Sequence, residues 1–161
     1  MTSNPPVGLE TQFERLRGIS SVDVREGYVQ VSVTDLEPPI GQSRLNVLKA
    51  IAERNISIDF LKLTTSGLAF LVKDDDQGLI SGILDALPGA ATAIEGRAVL
   101  MIYAVNIREE EGLIGQILAD AIQQGAQIDH VGDMHDRLLI VTSAETAHSL
   151  ANSIRKGHSN P

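Results

Sequence analysis

Two histidines and three aspartates fall within Asp129-His130-Val131-Gly132-Asp133-Met134-His135-Asp136. Imidazole nitrogens and carboxylate oxygens are what zinc and harder divalent ions take as ligands, so a small metal-dependent enzyme is one reading of this stretch. Against it, strand alternation puts His130 and His135 on opposite faces, and polar residues around a turn need no role beyond solvation. No metal and no cofactor are assigned here. Asp74-x-Asp76-x-Gly78 has the opening of a calcium loop without its later ligands or closing Glu, and reads as a helix cap. Glu109-Glu110-Glu111 puts negative charge where a helix N-terminus favours it. His148 and Ser149 are adjacent on a predicted helix with no carboxylate to orient them, which is no catalytic triad. The chain has no Cys, hence no thiolate nucleophile, disulfide or Cys-ligated metal. No nucleophile elbow, Walker loop or dinucleotide fingerprint occurs. A non-catalytic protein is expected.

Composition narrows the partners. The chain has 161 residues, enough for one ordinary domain or two small ones. It is 43% hydrophobic but only 3% aromatic, with no Trp, so its core is aliphatic and base-stacking platforms are scarce. Thirteen basic against 21 acidic side chains give a formal charge of -8, a sign that repels phosphate backbones and anionic lipid surfaces. Neither nucleic acid nor membrane is an expected partner. No apolar run reaches the length of a membrane span, and Met1 to Glu10 carries neither a basic patch nor an apolar stretch. The expected location is cytoplasmic.

The elements that must position any site repeat. An ungapped offset of 70 residues lays Leu48 on Leu118, Ile58-Asp59 on Ile128-Asp129, Leu68-Ala69-Phe70-Leu71 on Leu138-Leu139-Ile140-Val141, and Leu84 on Ile154. In the first unit, Tyr28 to Val33 alternates apolar and polar residues as a one-face-buried strand does. Gly41 to Arg54 spaces Leu45, Leu48 and Ile51 for a helix, with Asn55 as its stop. Ile56 to Leu63 and Leu68 to Val72 form a hairpin across Thr64 to Gly67, with Gly67 supplying the turn's unusual backbone angles. A helix capped by Asp74 to Asp76 carries Leu79, Ile80, Ile83, Leu84 and Leu87 as far as Pro88-Gly89, and a short strand, Ala91 to Ile94, closes the unit. The second unit runs strand Ala98 to Val105, helix Glu111 to Gln124, hairpin Gln127 to Val141 and helix Thr146 to Arg155. It then lacks a closing strand, while Ile19 to Val24 precedes the first unit unused. The expected fold is therefore α+β, two ferredoxin-like βαββαβ units in tandem, with the N-terminal strand completing the second sheet. The expected division is 27–96 for the first unit and 19–25 plus 97–156 for the second. Residues 1–17 are expected to be a mobile segment with a short docking helix carrying Leu9, Phe13 and Leu16, and 157–161 a polar tail.

This order of elements resembles the paired ACT domains of the aspartate kinase regulatory region. The residues that carry the likeness are Gly27 to Asp35, a strand ending in an acidic loop, Pro39-Ile40-Gly41, similar to that family's Pro-Gly helix entry, and Ala52 to Asp59, similar to its Asn-Ile-x-Val-Asp segment. Gly125-Ala126-Gln127-Ile128-Asp129 repeats the last feature in the second unit, with Gln127 where Asn is usual. The likeness spans about residues 19 to 156. The amino-acid kinase catalytic domain is absent. The resemblance implies a dimeric, non-catalytic regulatory chain of amino-acid biosynthesis, responding to an amino-acid effector and acting on a biosynthetic enzyme such as an aspartate kinase catalytic chain.

In the resembled family the effector lies between the helix-entry loop of one ACT domain and the strand start of a facing one. That places the candidate effector site at Asp35, Glu37, Pro39, Ile40, Gly41 and Gln42, closed by Asn55, Ile56, Ser57, Ile58 and Asp59. A second copy falls at Gly112, Leu113, Ala126, Gln127, Ile128 and Asp129. The chemistry suits a free amino acid. Unpaired N–H groups at a helix entry receive its carboxylate, strand-edge carbonyls or Asp35, Glu37 and Asp59 receive its ammonium, and Gly41 lets ligand approach backbone. The helix-entry loop is a few residues longer than the family's, and the second entry is Glu-rich where the family has glycines. Both favour an alternative, an ACT pair without ligand that serves for dimerisation or docking.

Overall fold

A computed structural model describes residues 18–105, 107 and 112–158, except for the side chain of residue 158. The expected helix at Leu9 to Arg17 and the Glu109-Glu110-Glu111 run lie outside them. The strands are β1 (Ile19–Thr34), β2 (Asp59–Leu63), β3 (Leu68–Lys73), β4 (Ala90–Ala104), β5 (His130–Asp133) and β6 (Arg137–Ser143). The helices are α1 (Ile40–Glu53), α2 (Gln77–Asp85), α3 (Leu113–Gln123) and α4 (Ala144–His158). The last runs past the expected stop at Arg155 and takes in part of the expected tail. The segments expected as separate strands on either side of Gly27 are one strand, and so are those on either side of Gly96.

The chain divides into two compact units, Glu26–Arg97 and Met1–Arg25 with Ala98–Pro161. In the first, the strand order is β2-β3-β1-β4. This is the 4-1-3-2 order of a βαββαβ unit counted from its own first strand. In the second the order is β1-β4-β6-β5, the same pattern with the β1 residues up to Arg25 standing as fourth strand. Ile19, Val22 and Val24 pack on the second core. Arg155 fastens this strand by donating from its guanidinium to the Val22 carbonyl at 2.7 Å.

Alternation builds each core. Val29, Val31 and Val33 lie directly opposite Val72, Phe70 and Leu68 across the antiparallel β1–β3 ladder, and all six are buried with Val47, Ile51, Ile80 and Ile83 of the covering helices. The second core repeats this with Leu100, Ile102, Ala104, Leu138, Ile140, Ile117, Ala121 and Leu150. The helices and hairpins keep the 70-residue offset, but the leading strands do not: Val29, Val31 and Val33 correspond to Leu100, Ile102 and Ala104, and Leu36 to Ile107. That offset is 71. Side chains alternate with period two, so an ungapped match would have turned the wrong face of β4 inward. The extra residue of the first unit lies between Leu36 and Val47.

Candidate functional site

The loop after β1 is held by its own core residue. Leu36 is 5% exposed, packed in the first core, and its N–H donates to the Ser66 carbonyl at 3.1 Å. From α1, the Arg44 guanidinium donates to the Gly67 carbonyl at 3.0 Å and to the Thr64 carbonyl. These bonds tie helix entry, loop and β2–β3 turn together. Gly67 is required by proximity and not, as the sequence suggests, by unusual backbone angles, because a Cβ there would stand 1.8 Å from the Val33 carbonyl oxygen. Pro38-Pro39 is a cis peptide. The Pro39 carbonyl accepts from the Gln42 and Ser43 N–H groups at 3.0 and 3.2 Å, and the Ser43 hydroxyl donates to the Glu37 carbonyl at 2.6 Å.

At its start, α1 has no side-chain cap and no acidic residue in its first turn, leaving a helix end suited to an anion. Asp35, Glu37, Pro39, Gly41 and Gln42 are exposed and Ile40 is half-buried against the core. The space beside Gly41 is open, with nothing within 4 Å of where a Cβ would stand. The Gln42 side chain donates along the helix to Asn46 at 3.0 Å.

The closing segment is a helix stop before it is anything else. Asn55 has φ 55, its N–H donates to Ala52, and the Ile56 N–H reaches back to Ile51 at 3.4 Å. This is a Schellman motif, completed by the apolar contact its geometry brings about, with Ile51 and Ile56 buried in one core. Asn55, Ser57 and Asp59 are exposed, and Ile58, like Ile40, packs on the first core. Both candidate segments thus send an apolar residue onto the same core. The expected strand from Ile56 begins only at Asp59 and is irregular there: Asp59 opposes Leu71 and Lys62 opposes Ala69, with Phe60 at φ 56 between them. Among the described residues, the non-glycine positions with positive φ are Asp35, Asn55 and Phe60. All three lie in or directly beside these segments, and a bulky residue such as Phe60 adopts that conformation only when its surroundings impose it.

The second copy differs. Gly125, at φ 84, replaces Asn55 as the left-handed helix stop, and the Ala126 N–H returns to Ala121 at 3.0 Å. Gly112 precedes α3 at φ 76, with Leu113 half-buried behind it. At the strand start, the buried Thr142 hydroxyl donates to the Gln127 carbonyl at 2.6 Å, and the Asp129 N–H donates to Val141 at 2.9 Å. Ile128 packs on the core. The first unit has Val72 where Thr142 stands, so no hydroxyl reaches the matching Ser57 carbonyl. The Gln127 carbonyl of the second copy is thus taken by a side-chain hydroxyl that the first copy does not have at the matching position.

The remaining constellations bring little together. Among the described residues, no three His, Asp or Glu side chains converge to hold a metal. In the Asp129 to Asp136 stretch, the Asp136 carboxylate is bound by Arg137 through two hydrogen bonds, at 2.8 and 2.9 Å. That bonding holds its carboxyl below the usual carboxylate range and raises the guanidinium. Asp74 to Asp76 form a short 3-10 turn ahead of α2 and make no side-chain capping bond, contrary to expectation. No helix of the described residues is long and apolar enough to cross a membrane.

Sequence reasoning missed Arg44, Ser43 and Leu36, whose signal was a polar first turn and a lone apolar residue inside an acidic loop. It also missed a cleft of about 280 Å³ between α3 and α4 in the second unit. The cleft exists because Ala121, Ser153 and Gly157 stand where the first unit has Ile51, Ile83 and Leu87.

No protein-family model matches the sequence, and no curated protein matches it. Solved structures do match the fold. The regulatory subunit of aspartate kinase from Thermus thermophilus, in its ligand-free form, superposes with a TM-score of 0.73 at 20% identity, over 86% of this chain and 96% of that one. A structure of aspartokinase alpha and beta subunits gives 0.76 at 14% identity, over 86% and 97%. Aspartokinase III of E. coli, in complex with lysine and aspartate, gives 0.69 at 15% identity, over 88% of this chain and 33% of that one. At such identities the likeness is one of fold. The chain has the tandem ACT fold of the aspartate kinase regulatory region.

Proposed function

We propose that this chain is a non-catalytic regulatory protein that binds a free amino acid at the entry of α1. The carboxylate is received by the open N–H groups around Ile40 and Gly41. The ammonium is received by the Ser57 carbonyl region and Asp59 of a facing copy in a homodimer. Binding shifts the chain between two states by the difference in affinity, a coupling of about 1–3 kcal/mol in typical cases, and the shift is passed to an amino-acid biosynthetic enzyme. The supporting observation is that the left-handed non-glycine residues Asp35, Asn55 and Phe60 gather in and beside the segments this chemistry needs. The fold adds weight, since E. coli aspartokinase III, which shares it, was solved with lysine and aspartate. Calorimetric titration with lysine, threonine, methionine and the branched-chain amino acids tests this. One of them should release heat and raise the melting temperature; no heat at millimolar ligand, with an unshifted melt, defeats the proposal.

A second reading, an ACT pair that only dimerises or docks, is favoured by the burial of Leu36, which anchors the loop into the core. Solution size with and without amino acids separates the two, because a sensor's association responds to ligand and a scaffold's does not.

A further inference from the structure

The cleft between α3 and α4 has an apolar floor and one polar edge. Leu100 and Ile140 of the sheet line it together with Leu113, Ile117, Leu150 and Ile154 of the helices. Along α3 the lining residues fall in two rows, each with a spacing of four, so each row runs along one side of the helix. Leu113, Ile117 and Ala121 make the apolar row, and Gln116, Asp120 and Gln124 the polar one. The polar row spans roughly 12 Å at ~1.5 Å per residue, with its one charge at the centre. All three of its residues are exposed. The Gln124 amide donates to the Ser153 hydroxyl of α4 at 3.4 Å, which leaves the amide oxygen free to accept. Among the described residues, Asp120 has no basic partner. The first unit has Asn46, Ala50 and Arg54 where the polar row stands, and Ile51, Ile83 and Leu87 where Ala121, Ser153 and Gly157 make the room. The shared fold therefore requires neither the space nor the carboxylate.

We propose that this cleft binds a small organic cation. Its ammonium is held by the Asp120 carboxylate between the Gln116 and Gln124 amide oxygens, and its apolar body lies against Leu113, Ile117 and Leu150. A cavity of about 150 Å³ takes up a six-carbon ring, so 280 Å³ takes a body about twice that size. The chain's formal charge of -8 attracts a ligand of this sign. A free amino acid is disfavoured, because its own carboxylate would stand beside Asp120. The site is thus separate from the one proposed at α1 and does not depend on it.

Tryptamine has the size and the charge, and because the chain has no Trp its indole emission reads binding directly. Its anisotropy should rise to saturation at one site per chain as the full-length protein is added. Asp120→Asn should weaken this binding severalfold, and tryptophan, the same ring system with a carboxylate, should bind severalfold more weakly than tryptamine. No saturation at millimolar concentration, as when another part of the chain or a second copy covers the cleft, overturns the proposal. So does binding that is indifferent to Asp120→Asn or to the ligand's carboxylate. Filling the cleft with Ser153→Ile and Gly157→Leu should abolish binding, and binding retained by the folded double variant overturns the site. Should that variant not fold, amide shifts in the parent decide: tryptamine should move resonances of α3 and α4, and shifts confined to α1 and α2 overturn the assignment.

Discussion

The two units of this protein share one plan and spend their residues differently. In the first, Ile51, Ile80, Ile83 and Leu87 fill the space between the helices. In the second, Ala121, Leu150, Ser153 and Gly157 leave a 280 Å³ cleft. At the helix-to-strand junction the contrast is reversed. The second unit satisfies its Gln127 carbonyl with Thr142, while the first has only Val72 there. The second unit thus occupies with a hydroxyl a carbonyl position that the first has no hydroxyl to reach, and leaves between its helices a cleft at positions where the first carries larger side chains. Duplication preserves the fold because patterning preserves it, and the two copies are then free to diverge in side-chain size at positions that patterning does not constrain.

The largest expected effect comes from making the first unit as sparse as the second. Ile51→Ala, the residue matching Ala121, removes a side chain that is 2% exposed and should cost about 2–5 kcal/mol, read as a drop in the urea midpoint. A loss below about 1 kcal/mol would mean the first helix pair closes over the gap, and that helix spacing is not what separates the units.

A smaller effect tests the hairpin turns, where Gly67 of the first unit matches Arg137 of the second. Gly67→Ala puts a methyl 1.8 Å from the Val33 carbonyl oxygen and should cost about 1–3 kcal/mol as the strands separate. Arg137→Ala should leave the melting temperature nearly unchanged, since its partner Asp136 is exposed and exposed pairs contribute little. Equal losses in the two variants would show that the turns are built alike.

The smallest effect is the pH response of that pair. The Arg137 hydrogen bonds hold the Asp136 carboxyl below its ordinary value of 3.8. A lowered carboxylate favours the folded form above 3.8 and loses that contribution as pH falls through the lower folded value. A carbon-detected NMR titration should therefore find Asp136 titrating below 3.8 in the parent and near the ordinary value in Arg137→Ala. An unmoved midpoint removes the ion pair from the account of this turn.

Much of the candidate site could be read in the sequence because its residues are also folding signals. Pro39 and Gly41 mark a helix entry, and Asn55 marks a stop. The stop is confirmed in detail by the returning bonds from Asn55 and Ile56. Leu36 could not be read as an anchor, because one apolar residue in an acidic loop has no period to reveal its direction. Arg44 could not be read as a clamp on the hairpin, because its partners are carbonyls 20 and 23 positions away.

Alternation, helical spacing and repetition by themselves determined the order of strands and helices, though not where each strand begins and ends, together with the two βαββαβ units and the strand borrowed from the N-terminus, since these follow from which residues must leave water. The tertiary structure alone decided the 71-residue register of the leading strands, the need for glycine at position 67 and the cleft beside α3. Each depends on the distance between atoms remote in the chain, and no local pattern of residues encodes that distance.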